Sequence, residues 1–316
     1  FTKGLKKPYD EIFHNTMNQT MKYLCENIQG CKLGYTQSDE ITLLLTDYDT
    51  LDTDAWFGYN VQKMCSVSAS MATMAFNKYL RELTDNYLRS DAWVNHYWEE
   101  DVEEYANTLR KAIDKGAMFD ARCFNIPADE VTNCFIWRQQ DATRNAIQML
   151  GQCNFSHKEL QGKSCNDIQD MLMLQKSINF NDMPTEFKRG ICCVKEIVQN
   201  PNVDIKDGAY PRAKWILDKE IPIFTQDREY IEKKEKEETE MEKKKWIMIY
   251  KNIMYGYDEV VKLSDNEWKA IPYVVITNQF IATAWFSEQE KYRELCEINK
   301  KMTMWMLQNF DQMLFD

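Results

Sequence analysis

Residues 33–46, Leu-Gly-Tyr-Thr-Gln-Ser-Asp-Glu-Ile-Thr-Leu-Leu-Leu-Thr, constrain the fold more than any other stretch. Two apolar runs flank the polar tetrad Gln37-Ser38-Asp39-Glu40, which predicts a strand, a tight turn and a second strand. The turn lifts two adjacent carboxylates, Asp39 and Glu40, to the exposed tip of a β-hairpin. Hard oxygen ligands held on strands are what Mg²⁺ requires when it carries nucleotide phosphates. An acidic surface turn with no ligand has the same sequence, so the hairpin alone leaves both readings open.

The rest of the composition narrows the class. A chain of 316 residues makes one large domain or two small ones, and either buries a substantial core. No apolar run approaches the roughly 20 residues of a membrane span. Ten cysteines occur without a Cys-x-x-Cys pair, and His14, His96 and His157 are far apart. That argues against a structural zinc site and a disulfide scaffold, and fits a reducing cytoplasm. The net charge of −11 counts against broad nucleic-acid binding, so any RNA contact must come from a local basic patch.

The chain begins Phe-Thr-Lys-Gly, without an initiator Met or a signal-peptide pattern, and is expected to be cut at this end. Lys3, Lys6 and Lys7 surround Gly4 ahead of Pro8. A helix is predicted from there to about Ile28, with Asp10 and Glu11 in its first turn. A Lys-Gly-Lys loop before a helix suits a triphosphate; it is equally a solvated basic loop. Asp47, Asp49, Asp52 and Asp54 lack the Gly and Glu of a calcium loop and read as a solvated acidic loop. A second helix is predicted from Asn60 to about Leu88, with Lys63 in its first turns and small residues that permit close packing on a sheet. Residues 89–115, acidic and aromatic with Trp93, Tyr97 and Trp98, read as a helical excursion.

Met118–Pro127 alternates like a strand, with Phe119, Ala121, Cys123 and Asn125 on one face. A third helix follows from Ala128 to about Gln152. It carries Arg138, Asp141 and Asn145 at spacings of three and four, hence on one face. Such a face hydrogen-bonds phosphate, ribose and base edges, or ties helices together as a buried polar network. Two short helices capped by Ser156 and Ser164 come next. A basic turn, Met183–Gly190, then leads into a strand over Ile191–Val198. The expected fold class is α+β: a ferredoxin-like polymerase-palm domain, an antiparallel sheet with helices on one face, plus helical additions. A further strand before Phe1 would complete it.

Seven motifs run in order: Lys-Lys-Pro-Tyr-Asp (6–10), Tyr-Thr-Gln-Ser-Asp-Glu (35–40), Gln-Lys-Met-Cys-Ser (62–66), Phe-Asp-Ala-Arg (119–122), Trp-Arg-Gln-Gln-Asp-Ala-Thr-Arg-Asn (137–145), Phe-Ser-His-Lys-Glu-Leu (155–160) and Glu-Phe-Lys-Arg-Gly (186–190). Together they resemble the tRNA-histidine guanylyltransferase family over about residues 1–225. The match is closer to its bacterial, archaeal and viral "Thg-like" branch than to the eukaryotic enzymes.

The resemblance implies 3′-to-5′ nucleotide addition at the 5′ end of a tRNA. ATP or GTP activates the 5′-monophosphate, and the 3′-hydroxyl of a second triphosphate then attacks, with two Mg²⁺ ions assisting. It implies Asp39 as a metal ligand, with Glu40 beside it as a catalytic candidate. Lys7, Asp10, Ser38, Lys63 and Ser66 fall to nucleotide binding. Arg138, Gln139, Asp141, Asn145, Lys188 and Arg189 fall to RNA. It also implies a homotetramer in the cytoplasm. The family's other metal aspartate sits in an Asp-Gly pair on a strand just upstream of the Phe-Thr-Lys loop, where this chain has not yet begun. Thr143 stands where eukaryotic members have His, which favours templated 5′-end repair of several tRNAs over tRNA-histidine specificity.

Beyond residue 225 the character changes. Residues 226–245 mix Glu and Lys and read as a charged helix or linker. Residues 246–316 hold an apolar run at Ile271–Ile276 and a helical pattern over Glu288–Leu314; they suit an RNA-binding or oligomerisation module or a structural cap. Two other functions stay open: an inert tRNA- or nucleotide-binding module, and another palm-type nucleotidyltransferase or cyclase.

Overall fold

The computed structural model describes residues 1–47, 54–96, 99–198, 212–233, 250–251, 253–287 and 293–314. Asp49, Asp52, Tyr97, Trp98 and most of the charged stretch over 226–245 lie outside them. The chain divides into two units, Phe1–Glu235 and Lys236–Asp316. The first extends past residue 225 because the half-buried Tyr230 and the buried Ile231 pack into its core. In the second, a helix over Asp265–Ser287 brings Ile271 and Ile276 against Trp305 and Met306 of a helix over Arg293–Gln308. No helix among the described residues is long and apolar enough to cross a membrane.

The first unit is built on a four-stranded antiparallel sheet of β1 (Cys31–Gln37), β2 (Glu40–Leu45), β3 (Ile191–Val198) and β4 (Arg212–Asp218), in the order β2-β1-β3-β4. Gln37 lies opposite Glu40, Thr36 opposite Ile191, and Cys192 opposite Asp218. The hairpin turn, the start of β3 and the end of β4 therefore meet at one end of the sheet.

Alternation along the strands divides the apolar residues between two faces. Cys31, Ile41, Leu43, Ile191, Cys193 and Trp215 face α1 (Glu11–Asn27), which contributes Met21 and Cys25. Leu33, Tyr35, Leu44, Cys192 and Val194 pack with Val131, Phe135 and Ile136 of α5 (Val131–Asn154). A register shift between Cys31 and Leu33 puts these two on opposite sides. This corrects the expectation of helices on one face. Strands apolar on both sides must be covered on both, so α1 and α5 sandwich the sheet.

α1 begins at Glu11, three residues after the expected start at Pro8. Asp10 is its N-cap, not a first-turn residue, and its Oδ1 accepts the Phe13 N–H at 2.9 Å. α2 (Val61–Leu88) is capped by Asn60 and packs along α1 through Ala72, Phe76 and Leu80. The excursion consists of α3 (Asp91–Val94) and α4 (Glu100–Lys115), α4 burying Leu109 and Ala112.

The strand expected over Met118–Pro127 does not form. The alternation is real, with Phe119, Ala121 and Cys123 half-buried between exposed neighbours, but no described strand runs alongside. Side chains of α2 take its backbone groups instead. Asn77 Oδ1 accepts the Ala117 N–H at 2.8 Å, and Thr73 Oγ1 accepts that of Phe119 at 3.1 Å. After α5 come α6 (His157–Leu160), α7 (Cys165–Lys176) and α8 (Thr185–Arg189). Ser156 and Ser164 cap α6 and α7 as expected, and Glu159 accepts the Ser156 N–H and Asp167 that of Ser164, completing a capping box at each.

Candidate active site

The expected hairpin is present with its expected turn. Ser38 takes a left-handed conformation at φ 55°, and Thr36 Oγ1 donates to the Glu40 carbonyl across the turn at 2.8 Å. Ser38, Asp39 and Glu40 are all exposed. Glu40 turns toward α5, where Arg138 Nη1 lies 3.3 Å from its Oε2. Asp39 has no hydrogen-bond or ion-pair partner among the described residues. A shallow cleft between hairpin and helix is lined by Tyr35, Gln37, Glu40, Thr42, Arg138 and Asp141.

On α5, Asp141 pairs with Arg144 and accepts from Asn145 Nδ2 at 3.2 Å, a linked exposed face as the spacing predicts. Gln139 departs from it. It is 4% exposed; its Oε1 accepts the Phe224 N–H at 2.8 Å and its Nε2 donates to the Pro222 carbonyl at 2.9 Å. Both ends of the amide hold the 222–224 segment on α5, so Gln139 is withdrawn from the expected RNA face. Spacing of four from Phe135 and three from Ala142 already puts it on the buried stripe.

α8 meets the same end of the sheet. Tyr35 Oη donates to the Arg189 carbonyl at 2.6 Å, and Thr143 Oγ1 donates to that of Lys188 at 2.9 Å. Burial raises the Tyr35 hydroxyl above its ordinary value, with Cys192 and Asp141 adding to the rise and Arg138 opposing it. Gly190 then turns at φ 82°, where a Cβ would stand 2.5 Å from the Thr36 carbonyl oxygen, so only glycine fits. Lys188 Nζ donates to the Asn181 carbonyl at 2.5 Å. The Arg189 guanidinium has no polar partner among the described residues.

The N-terminal loop is fixed by an unexpected neighbour. Asp10 Oδ2 accepts both the Lys6 N–H at 2.9 Å and the Tyr105 hydroxyl at 3.0 Å, and Lys6 Nζ sits 4.2 Å from the Tyr105 ring centre. α4 thus braces the loop. Asp10 is 6% exposed with both oxygens engaged, which corrects the expectation that it contacts nucleotide directly. Lys7 is exposed beside Cys153. Lys63 and Ser66 are exposed near the start of α2, with Lys63 Nζ 4.3 Å from the Phe57 ring centre. No contact among the described residues joins them to the hairpin.

Sequence reasoning missed the hub of this end of the fold. Glu186 of α8 accepts from Tyr9 Oη at 2.7 Å, and its Oε2 lies 3.1 Å from Lys219 Nζ and 3.5 Å from His14 Nε2. Burial works to raise the Glu186 carboxyl, but hydrogen bonds from Tyr9 and Lys219 and the charges of His14 and Lys219 hold it below its ordinary value. His14 is depressed, chiefly by burial, with Lys219 lowering it further and Glu186 opposing. Glu186 lay in a quoted motif, but its partners are spread from residue 9 to residue 219, and no spacing rule reaches that far.

No group of three His, Cys, Asp or Glu among the described residues forms a metal site. Asp39 fits one arm of a hard-cation site, since its carboxylate is free and exposed. Glu40 fits less well, because Arg138 already neutralises it.

The tRNA(His) guanylyltransferase family model matches residues 1–127. A bacterial tRNA(His) guanylyltransferase (Thg1)-like protein solved with ATP is 44% identical, covering 74% of this chain and 83% of that one, with a TM-score of 0.58. Such a protein solved with GTP is 39% identical over 74% and 82%, TM-score 0.55. An uncharacterised protein of Acanthamoeba polyphaga mimivirus is 28% identical over 214 residues, 64% of this chain and 68% of its own. A probable tRNA(His) guanylyltransferase of Dictyostelium discoideum is 22% identical over 209 residues, 62% and 70%. The hairpin, the α5 face and the α8 turn thus stand in a chain that belongs to the tRNA(His) guanylyltransferase family, among its Thg1-like members.

Proposed function

We propose that this chain is a nucleotidyltransferase that adds nucleotides in the 3′-to-5′ direction to the 5′ end of tRNA, after activating that end with ATP or GTP. The observation that carries the reading is Asp39, a free carboxylate on a rigid two-strand tip, set beside a helix face of Arg138, Asp141 and Asn145. The palm-like use of the sheet follows from the same placement. Asp39 holds one of two Mg²⁺ ions, which supply the charge neutralisation that phosphoryl transfer needs. Glu40 serves through Arg138, fixing the hairpin against α5. Ser38, Lys7, Lys63 and Ser66 meet triphosphate, and Asp10 shapes their loop from its buried cap. Arg138, Asp141, Asn145, Lys188 and Arg189 meet the RNA. Assembly as a homotetramer in the cytoplasm belongs to the same reading.

The test incubates the protein with Mg²⁺, ATP, labelled GTP and a tRNA lacking its first 5′ nucleotide, with Asp39→Asn in parallel. Label joined to the 5′ end by the parent, and about a thousandfold less by Asp39→Asn, is expected. Label in neither, with tRNA still bound, would overturn catalysis and leave a binding module.

A further inference from the structure

Two cysteines with no role in the proposed reaction lie on the flank of α2 and on the segment beside it. Asn77 Nδ2 donates to the Ala117 carbonyl at 2.9 Å, and two residues on, Phe119 N–H reaches Thr73, one helical turn earlier. The segment therefore runs antiparallel to α2. An extended chain advances about 3.3 Å per residue and a helix about 1.5 Å, so the four residues from Phe119 to Cys123 reach back about nine along the helix. From Thr73 that is the turn holding Cys65, whose thiol lies near enough to Cys123 to shift it. Both are partly exposed, whereas Cys25, Cys31 and Cys193, which also cluster, are buried. Lys63 and Ser66 flank Cys65, and Arg122 precedes Cys123.

We propose that Cys65 and Cys123 form a thiol-modification site, in which a peroxide joins them as a disulfide that staples the 117–127 segment to α2 and weakens triphosphate binding at Lys63 and Ser66. Burial, with Cys65 adding to it, pushes the Cys123 thiol up to about 11, so it stays protonated near neutrality and serves as the resolving thiol. The Cys65 sulfur attacks one oxygen of hydrogen peroxide, the O–O bond breaks, a sulfenic acid forms and water leaves. The Cys123 sulfur then attacks the Cys65 sulfur, and the hydroxyl departs with the Cys123 proton as a second water. Two thiols lose two electrons and one peroxide becomes two waters. A dithiol reverses the bond by exchange.

The test treats the folded full-length protein with hydrogen peroxide, blocks remaining thiols, and maps linked peptides with and without dithiothreitol. A reductant-sensitive Cys65–Cys123 link is expected in the parent and absent from Cys65→Ser and Cys123→Ser, while Cys134→Ser retains it. No link, a link to another cysteine, or sulfinic acid accumulating on Cys65 would overturn the site. GTP affinity, measured on the same samples, is expected to fall about fivefold or more on oxidation, to return with dithiothreitol, and to stay constant in Cys123→Ser. A complete link with unchanged affinity would overturn the coupling. Reduced parent that binds no GTP would instead count against the nucleotide-transfer reading, and the linked peptide alone would then judge the site.

Discussion

At the scale of single residues, the Glu186 hub ties stability to pH. His14 has a folded value below its ordinary 6.5, so as pH falls through 6.5 the unfolded chain takes a proton that the folded chain refuses. Glu186 lies below its ordinary 4.5, so its stabilisation is present above 4.5 and lost as pH falls through that value toward its folded one. Both push the same way. The thermal midpoint is expected to drop between pH 7 and pH 5.5 from His14 alone, and more steeply below pH 4.5 as Glu186 joins. In His14→Gln the first limb should flatten while the second remains; an unchanged first limb would remove His14 as its cause. Nothing in the sequence exposes this hub. Asp39 was legible because strand-turn-strand patterning places a turn residue at an exposed tip whatever surrounds it. Gln139 was misplaced although its spacing puts it on the buried stripe; only its partners, Pro222 and Phe224, are beyond the reach of local sequence.

Elements were read well where their signals are local. The Asn60 and Ser164 caps, the period of α1 and the two strands of the hairpin all lie within a few residues of what they specify. The 117–127 segment shows the opposite: its alternation fixes which side is buried but not whether a strand lies alongside, and Asn77 and Thr73 of α2 decide that. Gly190 marks a junction where one residue governs two elements. Gly190→Ala would force a Cβ against the Thr36 carbonyl and hold a side chain at positive φ. The expected cost is about 1–3 kcal/mol, read as a lower urea midpoint with unchanged slope. A midpoint within error of the parent would mean that the α8–β3 turn relaxes freely.

Over the whole molecule, charge sets the terms of RNA binding. A chain of net charge −11 holds RNA only where basic groups gather, and Arg189 is one whose guanidinium has no polar partner among the described residues. Arg189→Ala is therefore expected to weaken tRNA binding across sequences and to lower the slope of log affinity against log salt by about 1. A slope equal to the parent's would place the RNA elsewhere. The composition changes past residue 225, and the division at residue 235 lies ten residues further on, because Tyr230 and Ile231 pack into the first unit.

The α8 turn is anchored by the carbonyls of Lys188 and Arg189, which accept from Thr143 and Tyr35. Every amino acid carries that carbonyl. Lineages can therefore exchange the side chain at position 189 without loosening the loop that presents it. Substitution there should change what the side chain meets and leave the backbone stationary, so chimaeras that swap this turn between relatives should keep the fold and, on the proposed reading, alter the strength of tRNA binding.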